Sequence, residues 1–77
     1  MCLGFPAQII TVYEKENRAL VDIMGMQTQV GTLLLKDLAP GIFVLVHAGQ
    51  AIEKINLEEA EKTLALWKEV LKNEPSL

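Results

Sequence analysis

Two side chains in this sequence stand alone in the chemistry they can offer: Cys2, the single cysteine, and His47, the single histidine. Cys2 lies in the opening stretch "MCLGFP". If Met1 is removed, as is usual before a residue as small as Cys, the thiol sits beside a free ammonium, and a nearby positive charge favours the thiolate. Such a sulfur at the tip of a chain can ligate a metal or act as a nucleophile. An incidental terminal residue, or a small hydrophobe tucked into the mouth of a barrel, remains the bland alternative. His47 closes the apolar run "IFVLVH" and precedes "AGQAI". With regular strand alternation it shares a face with Phe43 and Leu45, while Val44, Val46 and Ala48 take the other. A lone imidazole there can be a hydrogen-bonded rim residue, a general base or a metal ligand.

Together the pair is more informative. One thiol and one imidazole cannot complete a four-ligand structural zinc site, nor supply the three protein ligands usual in catalytic zinc sites. A metal held by them must bring ligands of its own or borrow them from a partner. That deficit suits a fragment held for a time and passed on, and iron accepts both donor types. Other chemistry finds little support. No glycine-rich phosphate loop and no zinc-type cysteine pair is present, and the one serine is Ser76 in the tail. Asp22 and Asp37 are isolated carboxylates that read as turn or surface residues, and Trp67 reads as core rather than as a ligand platform.

The elements that must position these residues are short. "AQIITVY" (7–13) and "RALVDIM" (18–24) are rich in β-branched and aromatic residues around the polar turn "EKEN", and so predict a hairpin. Gly25 separates the second strand from a weaker alternating run over 27–32, giving a three-stranded meander. "LLLKDLAPG" predicts a short helical turn, then a type II turn with Pro40 and Gly41 at its centre. "IFVLVHAG" is apolar on both faces, as befits a strand covered on each side, and Gly49 with Gln50 can turn it back into "AIEKI". The period then changes. Leu57, Ala60, Leu64, Trp67 and Leu71 form one helical stripe behind an Asn56 N-cap, with Glu59 placed for a capping box. Glu58, Glu59 and Glu61 suit the positive end of that helix, Lys68 and Lys72 the negative end, and Pro75 ends it. The predicted fold is a mainly β single domain over 1–77. It consists of a small five-stranded OB-like β-barrel to about residue 55, a C-terminal amphipathic α-helix over about 57–73 and a frayed tail at 74–77.

Composition bounds the rest. A chain of 77 residues, 51% of them hydrophobic, carries more apolar surface than so small a domain can hide, because only about 60% of the unfolded surface is buried at this size. An apolar patch for a protein partner follows. The net charge is −3, with Lys and Arg scattered among acids, which argues against nucleic acid. No apolar run approaches membrane-spanning length, and no signal peptide or disulfide pair is evident, so a reducing cytoplasm is the expected location, with no membrane association.

"MCLGFP", "VHAGQAI" (46–52) and the acidic-start helix "NLEEAEKTLALWKEV" occur in one small chain. In that combination and order the sequence resembles the HypC/HupF family of hydrogenase assembly chaperones over nearly its whole length. The resemblance implies a cytoplasmic chaperone, not an enzyme, in the maturation of nickel-iron hydrogenase. Its implied partners are the HypD maturation protein, on which iron acquires cyanide and carbon monoxide, and then the hydrogenase large-subunit precursor. Iron would be carried as a transient Fe(CN)2CO fragment, with no permanently bound cofactor. The family's essential cysteine corresponds to Cys2 and its motif histidine to His47, giving Cys2 and His47 as metal-contacting residues shared with the partner. Cys2, Leu3, Pro6 and His47 are the implied partner-binding residues, Leu3 and Pro6 by shaping the docking tip. Phe5 and the tail "NEPSL" fall at positions expected to vary. The competing reading is a small thiol-dependent enzyme with Cys2 as nucleophile and His47 as base, which requires the two to come within hydrogen-bond reach.

Overall fold

The computed structural model describes residues 4–72. Five strands are followed by one helix: β1 (Phe5–Tyr13), β2 (Arg18–Ile23), β3 (Met26–Gly31), β4 (Phe43–His47), β5 (Gln50–Ile55) and α1 (Leu57–Lys72). The strands close into a barrel in the order β1-β2-β3-β5-β4, so the expected OB-like barrel with a C-terminal helix is the fold adopted. The core is narrow and built from small or β-branched side chains: Ala7, Ile9, Ala19, Val21, Val30, Val44, Val46 and Ala51. Most of these recur at every second position of their strands, the period at which side chains return to the same face of a sheet. A one-residue irregularity in the pairing of β1 with β2, between Ile9 and Thr11, reverses that phase. Ile9 points into the core before it and Val12 packs against the core after it, as a bulge that bends a barrel strand requires.

Two hairpins use the left-handed backbone region at both central positions, the geometry that matches the twist of flanking strands. Met24 (φ 51°) and Gly25 (φ 93°) join β2 to β3; Ala48 (φ 52°) and Gly49 (φ 78°) join β4 to β5. The second turn corrects the expectation of Gly49 with Gln50. Gln50 is already in β5 and pairs with His47, so the two-residue loop falls one position earlier. The barrel is closed between β3 and β5 by the parallel pair Gly31↔Gln50, with the Gly31 N–H donating to the Gly49 carbonyl at 2.9 Å. Gly31 leaves room there for the end of the Gln50 side chain, whose amide lies where a Cβ would be.

Between β3 and β4 the expected helical turn is absent. Leu33 and Leu34 form a tight turn in which the Leu35 N–H reaches the Thr32 carbonyl at 3.3 Å. Three successive leucines define no helical face, and a single turn is too short to nucleate a helix. The Pro40–Gly41 turn does form: Gly41 has φ +95° and the Ile42 N–H donates to the Ala39 carbonyl at 3.2 Å. Ile9 is tied to this loop through both backbone groups, donating to the Ile42 carbonyl and accepting from the Gly41 N–H, each at 2.8 Å.

Helix α1 is capped as its sequence requires, the Asn56 Oδ1 accepting the Glu59 N–H at 2.7 Å. It packs against β1 and β4. Its apolar stripe is buried only in the middle. Ala60 is buried and Leu64 and Trp67 are half-buried, but Leu57 and Leu71 are 57% and 50% exposed, because the helix is longer than the barrel wall it covers. The expected apolar stripe is thus packed in its middle and open at both of its ends. No helix among the described residues is long and apolar enough to cross a membrane. The predicted tail at 74–77 lies outside the described residues.

Candidate functional site

The pairing of β1 with β4 decides where the chemistry can gather. These strands are antiparallel with Phe5 opposite Val46 and Pro6 opposite Leu45, so the start of β1 and the end of β4 lie at one end of the barrel. His47 is the last residue of β4 and is exposed on that rim. Gly4 is where the chain leaves the barrel toward its N-terminus. Cys2 and Leu3 lie outside the described residues. The two residues singled out by chemistry are thus forty-five positions apart in sequence, yet the strand bearing one and the strand leading to the other are joined by a backbone ladder.

Several devices hold the strand at this exit. Gly4 is pressed on β4 so closely that a Cβ would stand 3.1 Å from the Val46 carbonyl oxygen and 3.4 Å from the Leu45 Cβ. Pro6, with φ fixed by its ring and no N–H to offer, lies in the stretch of β1 that pairs with β4 before pairing with β2 begins at Gln8. Pro6 is among the most completely buried side chains, so its ring is enclosed by the barrel and not presented on the surface. On the outer side, the indole Nε1–H of Trp67 donates to the Gly4 carbonyl at 3.1 Å, and its ring stacks on Phe5 with centroids 4.3 Å apart and planes 26° apart.

Trp67, expected to pack rather than to serve as a ligand platform, does pack, but on the outer wall against Phe5 instead of in the barrel interior. Trp67 is half-buried on the outer wall of the barrel, and Phe5 is 40% exposed. A signal was available: a Trp at the edge of an apolar stripe needs a partner for its indole N–H. Its identity was not, since donor and acceptor are separated by 63 positions. The turn after His47 carries a further constraint. Ala48 holds a left-handed φ of 52°, a conformation that costs an L-residue about 1–2 kcal/mol.

Of the isolated carboxylates, Asp37 lies exposed in the loop before β4, as expected of a turn residue. Asp22 does not: it stands within β2 between Gln8 and Gln27, half-buried, and its Oδ1 has no hydrogen-bond partner among the described residues. A depression lined by Val12, Tyr13, Glu14, Lys15 and Glu16 lies at the far end of β1 from His47. Among the described residues no cluster of three or more His, Cys, Asp or Glu side chains is gathered to hold a metal ion.

The closed barrel thus presents an imidazole at the end from which the chain runs toward its cysteine. The chain belongs to the HupF/HypC family, whose model matches residues 1–67 and so takes in the whole barrel and the helix as far as Trp67. It is 42% identical over 69 residues to the Hydrogenase maturation factor HypC of Rhizobium leguminosarum bv. viciae, covering 90% of this chain and 91% of that protein. To the factor of the same name from Cupriavidus necator it is 37% identical over 75 residues, 97% of this chain and 82% of that one. A Proteus vulgaris protein named Frd operon uncharacterized protein C is 39% identical over 69 residues, 83% of this chain and 72% of that protein.

Proposed function

We propose that this chain serves the maturation of nickel-iron hydrogenase in the cytoplasm as a chaperone without turnover chemistry of its own. It docks on the HypD maturation protein and on the hydrogenase large-subunit precursor, and helps deliver iron bearing cyanide and carbon monoxide. The observation that carries this reading is the β1–β4 ladder, which brings the exit toward Cys2 and the exposed His47 to the same end of the barrel. In this reading the Cys2 thiolate is the principal contact to the iron fragment or to the partner's thiolates. His47, on the rim, ligates or orients by hydrogen bond. The diatomic ligands and the partner's side chains fill coordination positions that one thiolate and one imidazole leave open. Leu3 and Pro6 shape the tip that enters the partner.

Such a role calls for contacts that form and release in sequence, and apolar surface left open on the barrel and helix suits it. Met26 is 70% exposed, Leu33 71% and Leu66 56%. The test is an infrared spectrum of the chain, tagged only at its C-terminus and purified without oxygen from cells making hydrogenase. The expected result is cyanide and carbon monoxide stretches that vanish in Cys2→Ala while HypD still copurifies. Copurification with no such bands in any preparation would refute the carrier role and leave a docking protein. Bands undiminished in Cys2→Ala would refute the role of the thiol.

A further inference from the structure

We infer that the outer edge of β3 is a self-recognition edge: it pairs antiparallel with β3 of a second copy of this chain, centred on Thr28. The inference uses neither Cys2 nor His47 and goes beyond the carrier reading. β3 is paired with β2 along its whole length but meets β5 only at Gly31↔Gln50. The two strands run parallel, so Met26–Val30 precede the point where β5 begins and extend past it. Met26, Gln27, Thr28 and Gln29 are all exposed.

The hairpin fixes which main-chain groups of this edge are free. Its two-residue Met24–Gly25 turn makes Ile23 and Met26 a pair that exchanges both backbone hydrogen bonds, and such pairs then alternate along an antiparallel ladder. Met26, Thr28 and Val30 therefore turn their N–H and C=O groups toward β2, while Gln27, Gln29 and Gly31 turn theirs away. Bonds at the end of the strand agree with this phase: the Gly31 N–H donates to the Gly49 carbonyl and the Thr32 N–H to the Asn17 carbonyl, each at 2.9 Å. Gly31 is thus engaged by the barrel seam. Gln27 and Gln29 have no main-chain partner on that side among the described residues.

Two free residues separated by one form a self-complementary unit. Pairing centred on Thr28 sets Gln27 against Gln29 of the second copy and Gln29 against its Gln27, with two backbone hydrogen bonds in each pair. Any other centre leaves a free residue unpaired, because Gly31 is already bonded and Gly25 lies in the turn. Met26, 70% exposed, then comes to lie opposite Val30 of the second copy. Charge favours the same occupant. Copies of a chain with net charge −3 repel where acids meet, yet Met26–Gly31 holds no charged residue and no proline, devices that commonly protect an edge. β5, whose far side is likewise only partly paired, carries Glu53 and Lys54. The edge supplies a handful of residues where a stable complex uses roughly 20–30 a side, so association is weak, with a dissociation constant of about 10–1000 μM.

The sedimentation coefficient of the purified full chain should therefore rise with concentration across about 10–1000 μM. Thr28 meets its own counterpart at a non-hydrogen-bonded position, where Cα atoms stand about 4.5 Å apart, within disulfide reach. With the native thiol removed by Cys2→Ser, Thr28→Cys treated with oxidised glutathione should form a linked dimer about tenfold faster than Gln27→Cys, whose sulfur faces Gln29 of the second copy instead of its own counterpart. Thr28→Lys and Thr28→Glu should each weaken self-association by up to about fivefold, and an equimolar mixture of the two should restore it. Circular dichroism shows whether each variant is folded; if a charged variant is not, the disulfide comparison decides. A chain that stays monomeric over that range and links no faster through Thr28→Cys than through Gln27→Cys would overturn the proposal. Self-association undiminished in both charged variants would overturn it as well, by placing the contact elsewhere. So would protection of the Gln27 and Gln29 amides from hydrogen exchange on adding HypD but not on raising the chain's own concentration, which would give the edge to a partner protein. None of these results bears on the carrier reading, which is tested separately by the infrared bands of Cys2→Ala.

Discussion

Gly4→Ala tests whether the exit of the N-terminal segment is sterically fixed. The added Cβ would lie 3.1 Å from the Val46 carbonyl oxygen and 3.4 Å from the Leu45 Cβ, a few tenths of an ångström tighter than ordinary contact on the first count. Val46 cannot easily retreat: it is 5% exposed, and β4 is paired on both sides, with β1 and with β5. The strain must therefore be taken by Gly4 itself, which would lift away from β4 and carry its carbonyl out of line with the Trp67 indole. Overpacking of this kind costs about 1–3 kcal/mol. Replacing Gly by Ala recovers about 0.4–1 kcal/mol by restricting the unfolded chain. The net is a loss of up to about 2.6 kcal/mol, centred near about 1.3 kcal/mol, or at that centre a melting temperature lower by about 5–10 °C in a domain of this size. Thermal unfolding followed by circular dichroism gives the magnitude. Emission from Trp67, the only tryptophan, reports whether its contacts with Gly4 and Phe5 have shifted. The control is Gly25→Ala, which has open space around the new Cβ but sits at φ +93°. It should cost about 1 kcal/mol through backbone strain and leave the emission unchanged. A Gly4→Ala protein as stable as the native chain, with native emission, would show that the exit has room and refute the steric argument.

Asn56→Ala removes the oxygen that accepts the Glu59 N–H at 2.7 Å and should destabilise the protein by about 1 kcal/mol, measured as a lower midpoint in urea. The frayed helix start should leave Trp67 emission nearly native, since the cap lies at the other end of α1. Ala48→Gly relieves a left-handed φ of 52° and should stabilise the β4–β5 hairpin by up to about 1 kcal/mol after the entropy of the new glycine is subtracted. Ala48→Val should instead lose about 1–2 kcal/mol, because a β-branched side chain tolerates that backbone region poorly. Equal stability of the two variants in urea would refute the turn assignment.

The sequence by itself determined most of what depends on near neighbours. The strands within "AQIITVY" and "RALVDIM", the polar break between them, the Pro40–Gly41 turn and the Asn56 cap are all local and all form, although a bulge after Ile9 reverses the alternation of the first strand and Met24 belongs to the turn. Two local expectations failed: the helical turn at "LLLKDL" came from reading hydrophobicity where no face was defined, and the β4–β5 turn falls one position earlier than Gly49 with Gln50. Cys2 and His47 could be singled out as candidates from the sequence, since a chain with one thiol and one imidazole offers few choices. Tertiary structure alone decided that the strand ending in His47 pairs with the strand entered from Cys2, because register between distant strands is set by closure of the whole barrel. It also decided the fate of the helix stripe. A 3.6-residue period marks which side of a helix is apolar, but how much of that side meets a wall depends on where the wall stops. Here it stops short of both ends, leaving Leu57 and Leu71 in the open and placing Trp67 over Gly4, a meeting that sequence spacing could not foretell.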